Sequence, residues 1–465
     1  MASTQALTPS ERQAAGKAAR TNVRRSEHGR WEPGADRPDP VETLDLQNAR
    51  RVGELIPIRH GRMLASAFTF YRGAAAVMAA DLGAMPTTGL TVQLCGDAHL
   101  SNFGVFMAPD RRLIFDINDF DETLPGPFEW DVMRLGASFA VAARDLGLKV
   151  AKSRSLVAAA VQAYREEIRR LAAMRDLDVW YSRLDLEAIE QFRSQVTARR
   201  QRAFDKSVAK AQHKDSLRAF ARLCRQEGDT LRIVSDPPLI VPVEEVATDR
   251  SRDVIEGILR GLLDAYRGTL DPDVLHLSEA YDYVHAARKV VGVGSVGTQA
   301  WIVLLIGRDS SDPLFLQVKE AGRSVLEPYT RASRFKHQGR RVVEGQRLTQ
   351  AASDVFLGWL TGPGIDGPPR DFYVRQLWDG KGSAEIERMD LEGLRVYATL
   401  CGRALATAHA RSGDRIAIAA YLGGGDTFDR ALCEFAEAYA DQNDRDYQAF
   451  SAAIKSGRLP AETNV

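Results

Sequence analysis

The spacing of hydrophobic and polar positions changes several times along this chain, and each change marks a different kind of predicted element. Over residues 63–82 apolar side chains recur at intervals of three and four, which predicts helix until Pro86 and Gly89 break the pattern. The apolar run at 90–94 then predicts a strand, and residues 130–143 return to helical spacing. Most of the stretch 151–227 also has helical spacing, so the first half of the chain is predicted to be mainly helical.

A second pattern begins near residue 287, where β-branched and apolar residues cluster in short runs. Residues 289–297 and 298–306 are two β-rich runs joined through glycines. The remaining predicted elements are a helix over 252–268 before this region, and after it a strand over 314–319, a helix over 341–360, a strand over 372–377 and a helix over 391–410. The sequence therefore predicts a small β-sheet part that contains one helix.

Composition narrows the class of protein without identifying it. The chain has 465 residues, 45% of them hydrophobic and 27% charged, which is typical of a globular protein with two lobes or two domains. Lys plus Arg and Asp plus Glu both number 62, so the net charge gives no reason to expect nucleic acid or an anionic membrane as partner. Residues 1–45 hold few large apolar groups and predict a mobile arm.

Membrane insertion and disulfide bonding are not expected. No run of about 18 apolar residues is present to span a bilayer, and the Arg-rich N-terminal stretch lacks the apolar core of a secretion signal. The four cysteines have no CxxC spacing, so we expect reduced thiols rather than a zinc site. These observations predict a cytoplasmic location.

Two acid-bearing loops lie close together in the first half of the chain, each following a short apolar strand. The first reads G-D-x-H-x-x-N and contains Asp97, His99 and Asn102; the second, N-D-F-D, contains Asp119. Phosphoryl transfer from a metal-bound nucleotide needs a carboxylate to accept a proton from the attacking hydroxyl, and an amide and a second carboxylate to hold divalent ions. Asp97, Asn102 and Asp119 fit those three roles.

Together the two loops resemble the catalytic and metal-binding loops of aminoglycoside phosphotransferases and protein-kinase-like enzymes. The strings FYRGAA at 70–75, SVGT at 295–298 and YADQNDRDY at 439–447 resemble an uncharacterised bacterial family, domain of unknown function 2252. The first resemblance implies ATP and Mg²⁺ as cofactors. It favours a small molecule over a protein as phosphate acceptor.

A glycine-rich segment and a lysine supply the expected nucleotide contacts. The segment 292–297 reads GxGxxG, with Gly292, Gly294, Ser295 and Gly297, and an apolar, β-branched run follows it. A dinucleotide-binding fold requires a helix directly after the glycine segment, so a glycine-rich hairpin over a triphosphate is favoured. By the kinase resemblance Lys319 holds the α- and β-phosphates.

The resemblance also predicts a partner for that lysine and a site for adenine. Glu344 is the expected ion-pair partner of Lys319, with Glu320 and Glu327 as less well placed rivals. The strand that ends at Gln376 and Leu377 is expected to lead into a hinge whose backbone meets the adenine edge.

The order of these parts departs from that of ordinary kinases, because the glycine segment and Lys319 follow the catalytic loop instead of preceding it. We therefore expect an α+β protein with a two-lobed, protein-kinase-like fold that is circularly permuted. The predicted parts are the mobile arm 1–45, a large, mainly helical catalytic lobe over 46–285, a small antiparallel β-sheet lobe that binds nucleotide over 286–380, and a helical C-terminal part of the catalytic lobe over 381–465.

Several residues keep a structural alternative. His99 bracing its loop by hydrogen bonds is favoured over its transferring protons, and Asp131 is expected to anchor the loop rather than bind metal. Asp116 and Asp121 rival Asp119 for the metal. The GxGxxG segment also fits a plain hairpin, and Arg72 fits either substrate contact or packing.

The function expected from the sequence is transfer of the γ-phosphoryl group of ATP to a hydroxyl of a small molecule. Two alternatives stay open: a kinase-like enzyme that transfers AMP, and a nucleotide-binding regulatory module without turnover. A two-metal phosphoesterase is disfavoured because the chain has eight His and no G-N-H string. The acceptor and the oligomeric state cannot be read from the sequence.

Overall fold

The computed structural model describes residues 7–185, 216–228, 230–247, 251–290, 292–365, 367–377 and 382–463. The helices of these ranges are α1 Pro9–Ala18, α2 Pro40–Asn48, α3 Ile56–Leu64, α4 Ala67–Gly73, α5 Ala75–Gly83, α6 Phe128–Asp145, α7 Val150–Ala172, α8 Asp176–Trp180, α9 Ser216–Leu223, α10 Val243–Val246, α11 Arg252–Arg267, α12 Pro272–Glu279, α13 Gln338–Thr349, α14 Leu391–Ser412, α15 Arg415–Leu422 and α16 Thr427–Lys455. The strands are β1 Thr91–Leu94, β2 Phe103–Met107, β3 Leu113–Ile117, β4 Leu124–Pro127, β5 Leu184–Asp185, β6 Cys224–Glu227, β7 Thr230–Ile233, β8 Ile240–Pro242, β9 Asp282–Lys289, β10 Ala300–Ile306, β11 Pro313–Glu320, β12 Gly358–Pro363, β13 Pro369–Gln376 and β14 Gly382–Ser383.

The core of the molecule is a set of closely packed helices. Helix α6 is buried along almost its whole length, and α14 crosses α7 at short range. At that crossing a Cβ on Gly402 would lie 2.1 Å from the carbonyl oxygen of Ala160, so only glycine allows the two backbones to approach. The ring of Phe128 stacks on Tyr164 with centroids 6.2 Å apart, which ties the start of α6 to α7.

The largest sheet has six strands in the order β12-β13-β11-β10-β9-β8, and every neighbouring pair is antiparallel. Strand β11 lies between β10 and β13, with Lys319 opposite Ala300 on one side and Tyr373 on the other. Helix α13 is inserted between β11 and β12 and packs against β12 and β13. The predicted class is thereby confirmed at the level of an α+β protein that is mostly helical with antiparallel sheets.

Smaller sheets position the two acidic loops. Strand β1 pairs with β4, while β2 and β3 form an antiparallel hairpin flanked by β14 and β5. The first acidic loop runs from β1 to β2, and the second follows β3 directly. Because β2 and β3 are paired from Phe103↔Ile117 onward, the two loops emerge side by side at one end of the hairpin.

The N-terminal segment differs from the expected mobile arm. Residues 7–45 include α1 and part of α2 and lie against the helical core. The indole of Trp31 is 4.9 Å from the ring of Tyr439, and Arg37 pairs with Asp81 at 2.7 Å and with Asp446 at 2.6 Å. The segment is poor in apolar residues, but a few buried ones and one doubly paired arginine suffice to fix it.

Three element predictions need correction. The helical stretch expected over 151–227 includes α7, α8 and α9 but also β5 and β6, and its residues 186–215 lie outside the described ranges. Of the first β-rich run, expected at 289–297, Lys289 ends strand β9, residue 291 lies outside the described ranges, and residues 292–297 form a turn. The helix expected over 341–360 ends at Thr349, and β12 begins at Gly358. At β6 and β12 sheet pairing decided the local structure, which residue spacing alone does not reveal.

No described helix has the length and apolar character needed to cross a membrane.

Candidate functional site

The first acidic loop is fixed to helix α6 through its backbone. The amide N–H groups of Cys95 and Gly96 donate to the two carboxylate oxygens of Asp131 at 2.8 and 3.1 Å. Asp131 is 2% exposed, and its Oδ2 is also 3.3 Å from Nε2 of His409. Gly96 has φ +87°, and a Cβ there would lie 2.3 Å from the carbonyl oxygen of Glu122. The glycine and the buried aspartate together set the path of the loop, as the sequence predicted for Asp131.

The Asp97 carboxylate is oriented by an arginine that the sequence analysis did not identify. Arg134, one turn after Asp131 on α6, donates from Nε and Nη2 to Asp97 Oδ1 at 2.9 and 2.8 Å. The same guanidinium lies 3.9 Å from the centre of the Tyr71 ring and donates to the Tyr71 carbonyl at 2.9 Å. The spacing of three residues between Asp131 and Arg134 places both on one face of α6, a signal that was present in the sequence.

His99 is buried beside this carboxylate. Its Nε2 is 3.7 Å from Asp97 Oδ2, and the residue is only 4% exposed. Burial lowers the pKa of His99 to about 3, although the Asp97 charge opposes the shift, so the imidazole is neutral at physiological pH. Its Nδ1 finds no hydrogen-bond partner among the described residues. A neutral ring in this position is suited to accept or donate one hydrogen bond but not to supply a positive charge.

Asn102 joins the two acidic loops. Its side-chain Nδ2 donates to the Asp97 carbonyl at 2.8 Å, and its own carbonyl accepts from the N–H of Asn118 at 2.7 Å. The chain therefore passes from Asn118 into Asp119 next to the loop that carries Asp97. The structure brings the three residues predicted for catalysis and metal binding into one region.

Lys319 reaches the second acidic loop from the six-stranded sheet. Its Nζ is 2.7 Å from Asp121 Oδ2 and 3.9 Å from Asp119 Oδ2, although Lys319 and Asp121 are 198 positions apart in the chain. The hydroxyl of Tyr373 donates to the other oxygen of Asp121 at 2.6 Å. Lys319 is 2% exposed; burial by itself would lower its pKa, but the charges of Asp119 and Asp121 outweigh burial and raise it. The amine is therefore a buried cation between two carboxylates.

The predicted ion pair between Lys319 and Glu344 is wrong. Glu344 pairs with Arg340 at 3.2 Å, in the same helix and four residues away. The carboxylates next to Lys319 are those of the acidic loop, Asp121 at 2.7 Å and Asp119 at 3.9 Å. Tyr373 was also missed, since its position opposite Lys319 depends on strand register, which the sequence does not display.

Helix α13 contacts the acidic loop through another residue, Arg341. Its Nη1 donates to the Thr123 carbonyl at 2.6 Å, and its Nη2 donates to the carbonyls of Asp121 and Gly322 at 2.8 and 2.9 Å. Close packing of Gly345 on Thr123 brings the helix near enough, since a Cβ there would lie 2.5 Å from the threonine methyl carbon. The loop is thus held on the helix by hydrogen bonds from the Arg341 side chain to loop carbonyls, and not by the predicted carboxylate of Glu344.

The glycine-rich segment forms the connection between β9 and β10, as a hairpin should. Gly292 and Gly297 have φ of +69° and +90°, values that glycine adopts readily and other residues rarely do. Arg62 donates to the Gly292 carbonyl at 2.7 Å, Arg51 donates to the Val296 carbonyl, and the Val52 N–H donates to the Gly297 carbonyl at 2.8 Å. This turn, residues 292–297 and including Gly294 and Ser295, is called the glycine turn below. It rests on residues 51–73 of the helical part.

Arg51 links the glycine turn electrostatically to the acidic loop. Burial lowers its pKa to about 10, while the charges of Glu122, Glu320 and Asp121 oppose the shift. The turn, Lys319 and the acidic loops therefore belong to one charged region, although they come from distant parts of the chain.

The N–H groups predicted to meet adenine are already engaged. The Gln376 N–H donates to the Asp354 carboxylate, and the Leu377 N–H donates to the Phe315 carbonyl at 2.9 Å. A base could use these two donors only if those bonds opened.

A cleft of about 610 Å³ adjoins the site on another side. Asn118 and Arg375 line the cleft. So do Gln346 in α13 and Gln350 directly after the end of that helix, both with amide side chains. Arg375 donates from Nη1 to the Asn118 carbonyl at 3.1 Å and so forms the wall toward the acidic loop. Neither Asp97 nor the glycine turn lines the cleft, so the cleft borders the charged region without containing it.

Carboxylate and amide oxygens, the donors Mg²⁺ prefers, are present at Asp119 and Asn102. Within the described ranges, no group of three or more His, Cys, Asp or Glu side chains is arranged to hold a metal ion. Protein ligands of this kind suit a Mg²⁺ that keeps waters and substrate oxygens in its coordination sphere. They do not suit a cage made by protein alone.

The fold and site together define an α+β protein with a buried, charged region between a six-stranded sheet and a helical core. Residues 51–453 match a family of uncharacterised proteins conserved in bacteria, DUF2252, and the chain belongs to that family. No curated protein and no solved structure matches the chain.

Proposed function

We propose that the protein is a Mg²⁺-dependent phosphotransferase that moves the γ-phosphoryl group of ATP to a hydroxyl of a small molecule. The observation that carries the proposal is the position of the Lys319 ammonium, 2.7 Å from Asp121 and 3.9 Å from Asp119. Phosphoryl transfer needs a cation on the phosphates and a carboxylate that holds the metal within reach of the same triphosphate. An amine beside the carboxylate predicted to bind metal is what that chemistry requires.

The order of elements around Lys319 supports a kinase-like small lobe. The glycine turn is followed by β10, by β11 with Lys319, by α13 and then by β12 and β13. Kinases have a glycine-rich loop, a strand lysine and a helix in that order. The acidic loops precede all of these elements here, which is the reason for proposing circular permutation.

The proposed roles follow from the contacts. Asp97, held by Arg134, would accept the proton of the attacking hydroxyl, and His99 would brace the loop. Asn102 and Asp119 would hold Mg²⁺, which supplies positive charge to neutralise the phosphates. Lys319 would contact the phosphates while Asp121 and Tyr373 keep its position. The glycine turn would cover them, and Glu344, paired with Arg340, takes no part in this arrangement.

Nucleotide binding by matched variants tests the proposal. Asp119→Ala should abolish the Mg²⁺-dependent thermal shift with ATP, because it removes the only carboxylate assigned to the metal. The control is Asp110→Ala at the other end of the β2–β3 hairpin, where the carboxylate pairs with Arg183 on the surface at 2.6 Å. Equal ATP affinity in the wild type and in Asp119→Ala would contradict the assignment.

Labelled ATP then separates the kinds of transfer. A metabolite mixture incubated with γ-labelled ATP should yield a labelled product, and the same mixture with α-labelled ATP should not. Label transferred only from the α-position would establish AMP transfer instead. Binding of Mg²⁺ and ATP without transfer from either position would indicate a regulatory module.

A further inference from the structure

Arg72 occupies a position that the proposed roles leave unexplained. It lies in the last turn of α4, and its carbonyl oxygen is 3.1 Å from the point where a Cβ on Gly294 would stand. The residue is therefore directly against the glycine turn. The charges of Asp97 and Glu387 also act on it: burial lowers the pKa of Arg72, and these two carboxylates oppose the shift. The carbonyl of Tyr71, the residue before it, accepts from Arg134 Nη2, which also contacts Asp97, so Arg72 lies between the turn and the Asp97 loop.

The Nε of Arg72 differs in its contacts from the guanidinium nitrogens of three nearby arginines. Arg51 and Arg62 donate to carbonyls of the glycine turn, and Arg134 donates to Asp97. Arg72 Nε, by contrast, is buried and has no hydrogen-bond partner among the described residues. A buried cationic donor without a partner is costly, so a site that keeps one is suited to an anionic ligand that completes it.

His99 provides a second, independent observation in the same place. Its side chain is more than nine-tenths buried, and its Nδ1 also has no partner among the described residues. Nε2 lies 3.7 Å from the Asp97 carboxylate, beyond hydrogen-bond distance. A hydroxyl group can donate or accept, so it would satisfy Nδ1 in either ring tautomer. Arg134 contacts the Asp97 carboxylate that His99 faces, and it also donates to the carbonyl of Tyr71, the residue directly before Arg72, so Arg72 and His99 adjoin the same pair of side chains.

We infer that Arg72 binds an oxyanion, a phosphate or carboxylate group of a ligand, beside the Asp97 carboxylate and under the glycine turn. The acceptor class that fits both unsatisfied groups is a small molecule with an anionic group for Arg72 and a hydroxyl for His99 and Asp97, such as a hydroxy acid or a phosphorylated alcohol. The inference adds a substrate class to the proposed function. Identifying the ligand as the phosphate acceptor rests on that proposed function. The oxyanion site itself does not depend on nucleotide binding.

Two sources supply the same chemistry: the γ-phosphate of ATP or the anionic group of the acceptor. Inorganic phosphate is the probe for both, titrated by calorimetry into the full-length protein alone, with saturating Mg²⁺ and ADP, and with saturating Mg²⁺ and a non-hydrolysable ATP analogue. If the acceptor supplies the oxyanion, phosphate binds in all three conditions. If the γ-phosphate supplies it, the ATP analogue excludes phosphate and ADP does not.

The variants are Arg72→Gln and, as matched control, Arg62→Gln, which removes the same charge at the other end of the glycine turn. Arg72→Gln should weaken phosphate binding at least about tenfold, the scale of losing a charge-assisted hydrogen bond, while Arg62→Gln changes it less than twofold. Phosphate affinity that Arg72→Gln leaves unchanged, or that both variants reduce equally, would overturn the inference. If nucleotide does not bind but phosphate binds and depends on Arg72, only the proposed function is rejected and the oxyanion site stands.

A measurement on the wild type covers the case in which Arg72→Gln does not fold. The Nε–H resonance of Arg72, assigned by its absence from the spectrum of Arg72→Lys, should shift on addition of phosphate. No shift at saturating phosphate would also reject the site.

Discussion

At the scale of single residues, the arrangement around Asp97 separates the proposed general base from the residues that position it. Asp131 holds the backbone of the loop, and Arg134 holds the Asp97 carboxylate at 2.8 Å. Both come from one turn of α6, so the loop and its aspartate are positioned by a single rigid element. Side chains fixed in this way lose little freedom when a substrate binds, which favours catalysis.

Substitution of Asp97 separates binding from turnover. Asp97→Asn keeps the size of the side chain and one oxygen that can accept from Arg134, so we expect nearly unchanged affinity for Mg²⁺ and ATP. Turnover should fall by about two orders of magnitude or more, the scale for a positioned general base. Calorimetry and a coupled assay of ADP release measure the two effects, and a variant that retains wild-type turnover would show that Asp97 is not the base.

Glu129 makes a pH-dependent contribution to stability. It is 1% exposed, accepts from the N–H and hydroxyl of Thr88 at 2.7 and 2.9 Å, and has a pKa that burial raises to about 7. Because the folded pKa is above the unfolded value of about 4.5, its contribution is complete below about pH 4.5 and is lost as pH rises through 7.

Glu129→Gln removes this titration while keeping hydrogen bonds to Thr88. The free energy of unfolding of the variant should therefore increase relative to that of the wild type as pH rises from about 4.5 to 7. Urea unfolding at several pH values measures the difference, with Glu166→Gln on the exposed face of α7 as control. A difference that is constant across this range would contradict the assigned pKa.

At the scale of elements, the spacing of apolar residues identified some helices and strands well and others poorly. Helix α14 and strand β11 lie where periodicity predicted them, and α11 matches within a residue. Residue spacing predicts helix at 224–227, but this stretch is strand β6 because it pairs with β7. Three of the four residues of β6 are polar, so its strand character comes from pairing and not from a pattern that the sequence shows.

The crossing of α14 on α7 gives a stability prediction for two glycines in helices. Gly402→Ala would place a methyl carbon 2.1 Å from the Ala160 carbonyl oxygen, and separating the helices should cost about 1–3 kcal/mol or more. Gly261→Ala in α11 meets nothing within 4 Å and should stabilise the protein by about 0.5–1 kcal/mol through higher helix propensity. Chemical denaturation of both variants checks the pair. Equal effects of the two would mean that the crossing is not tight.

At the scale of the whole molecule, distant parts of the chain meet at the candidate site. Residues 51–73 support the glycine turn. The loops before β2 and after β3 carry Asp97 and Asp119, and β11 carries Lys319. The N-terminal segment packs on the helical core through Trp31 and Arg37. Few of these long-range contacts have a local signal, because each residue involved is chemically ordinary where it stands in the sequence.

Trp31 tests whether the N-terminal segment is part of the folded body. It is 7% exposed and packs on Tyr439 and Phe435, so Trp31→Ala should cost about 3–5 kcal/mol of unfolding free energy. The matched control is Trp180→Ala, 44% exposed with Arg411 over its ring, which should cost about 1 kcal/mol or less. Urea denaturation compares the two. A loss below about 0.5 kcal/mol for Trp31→Ala would favour the mobile arm expected from composition.

The sequence alone determined the chemistry that is available: a GD-x-H-x-x-N loop, an N-D-F-D loop, a glycine-rich turn and a lysine at a strand end. It also determined the α+β class, because periodicity and β-branched runs are local properties. Tertiary structure decided which acid pairs with Lys319 and that residues 7–45 are packed. It also decided that Arg72 and His99 each have a buried nitrogen without a hydrogen-bond partner in the described part of the chain. Those outcomes depend on strand register and on helix approach, which are set by contacts between residues hundreds of positions apart.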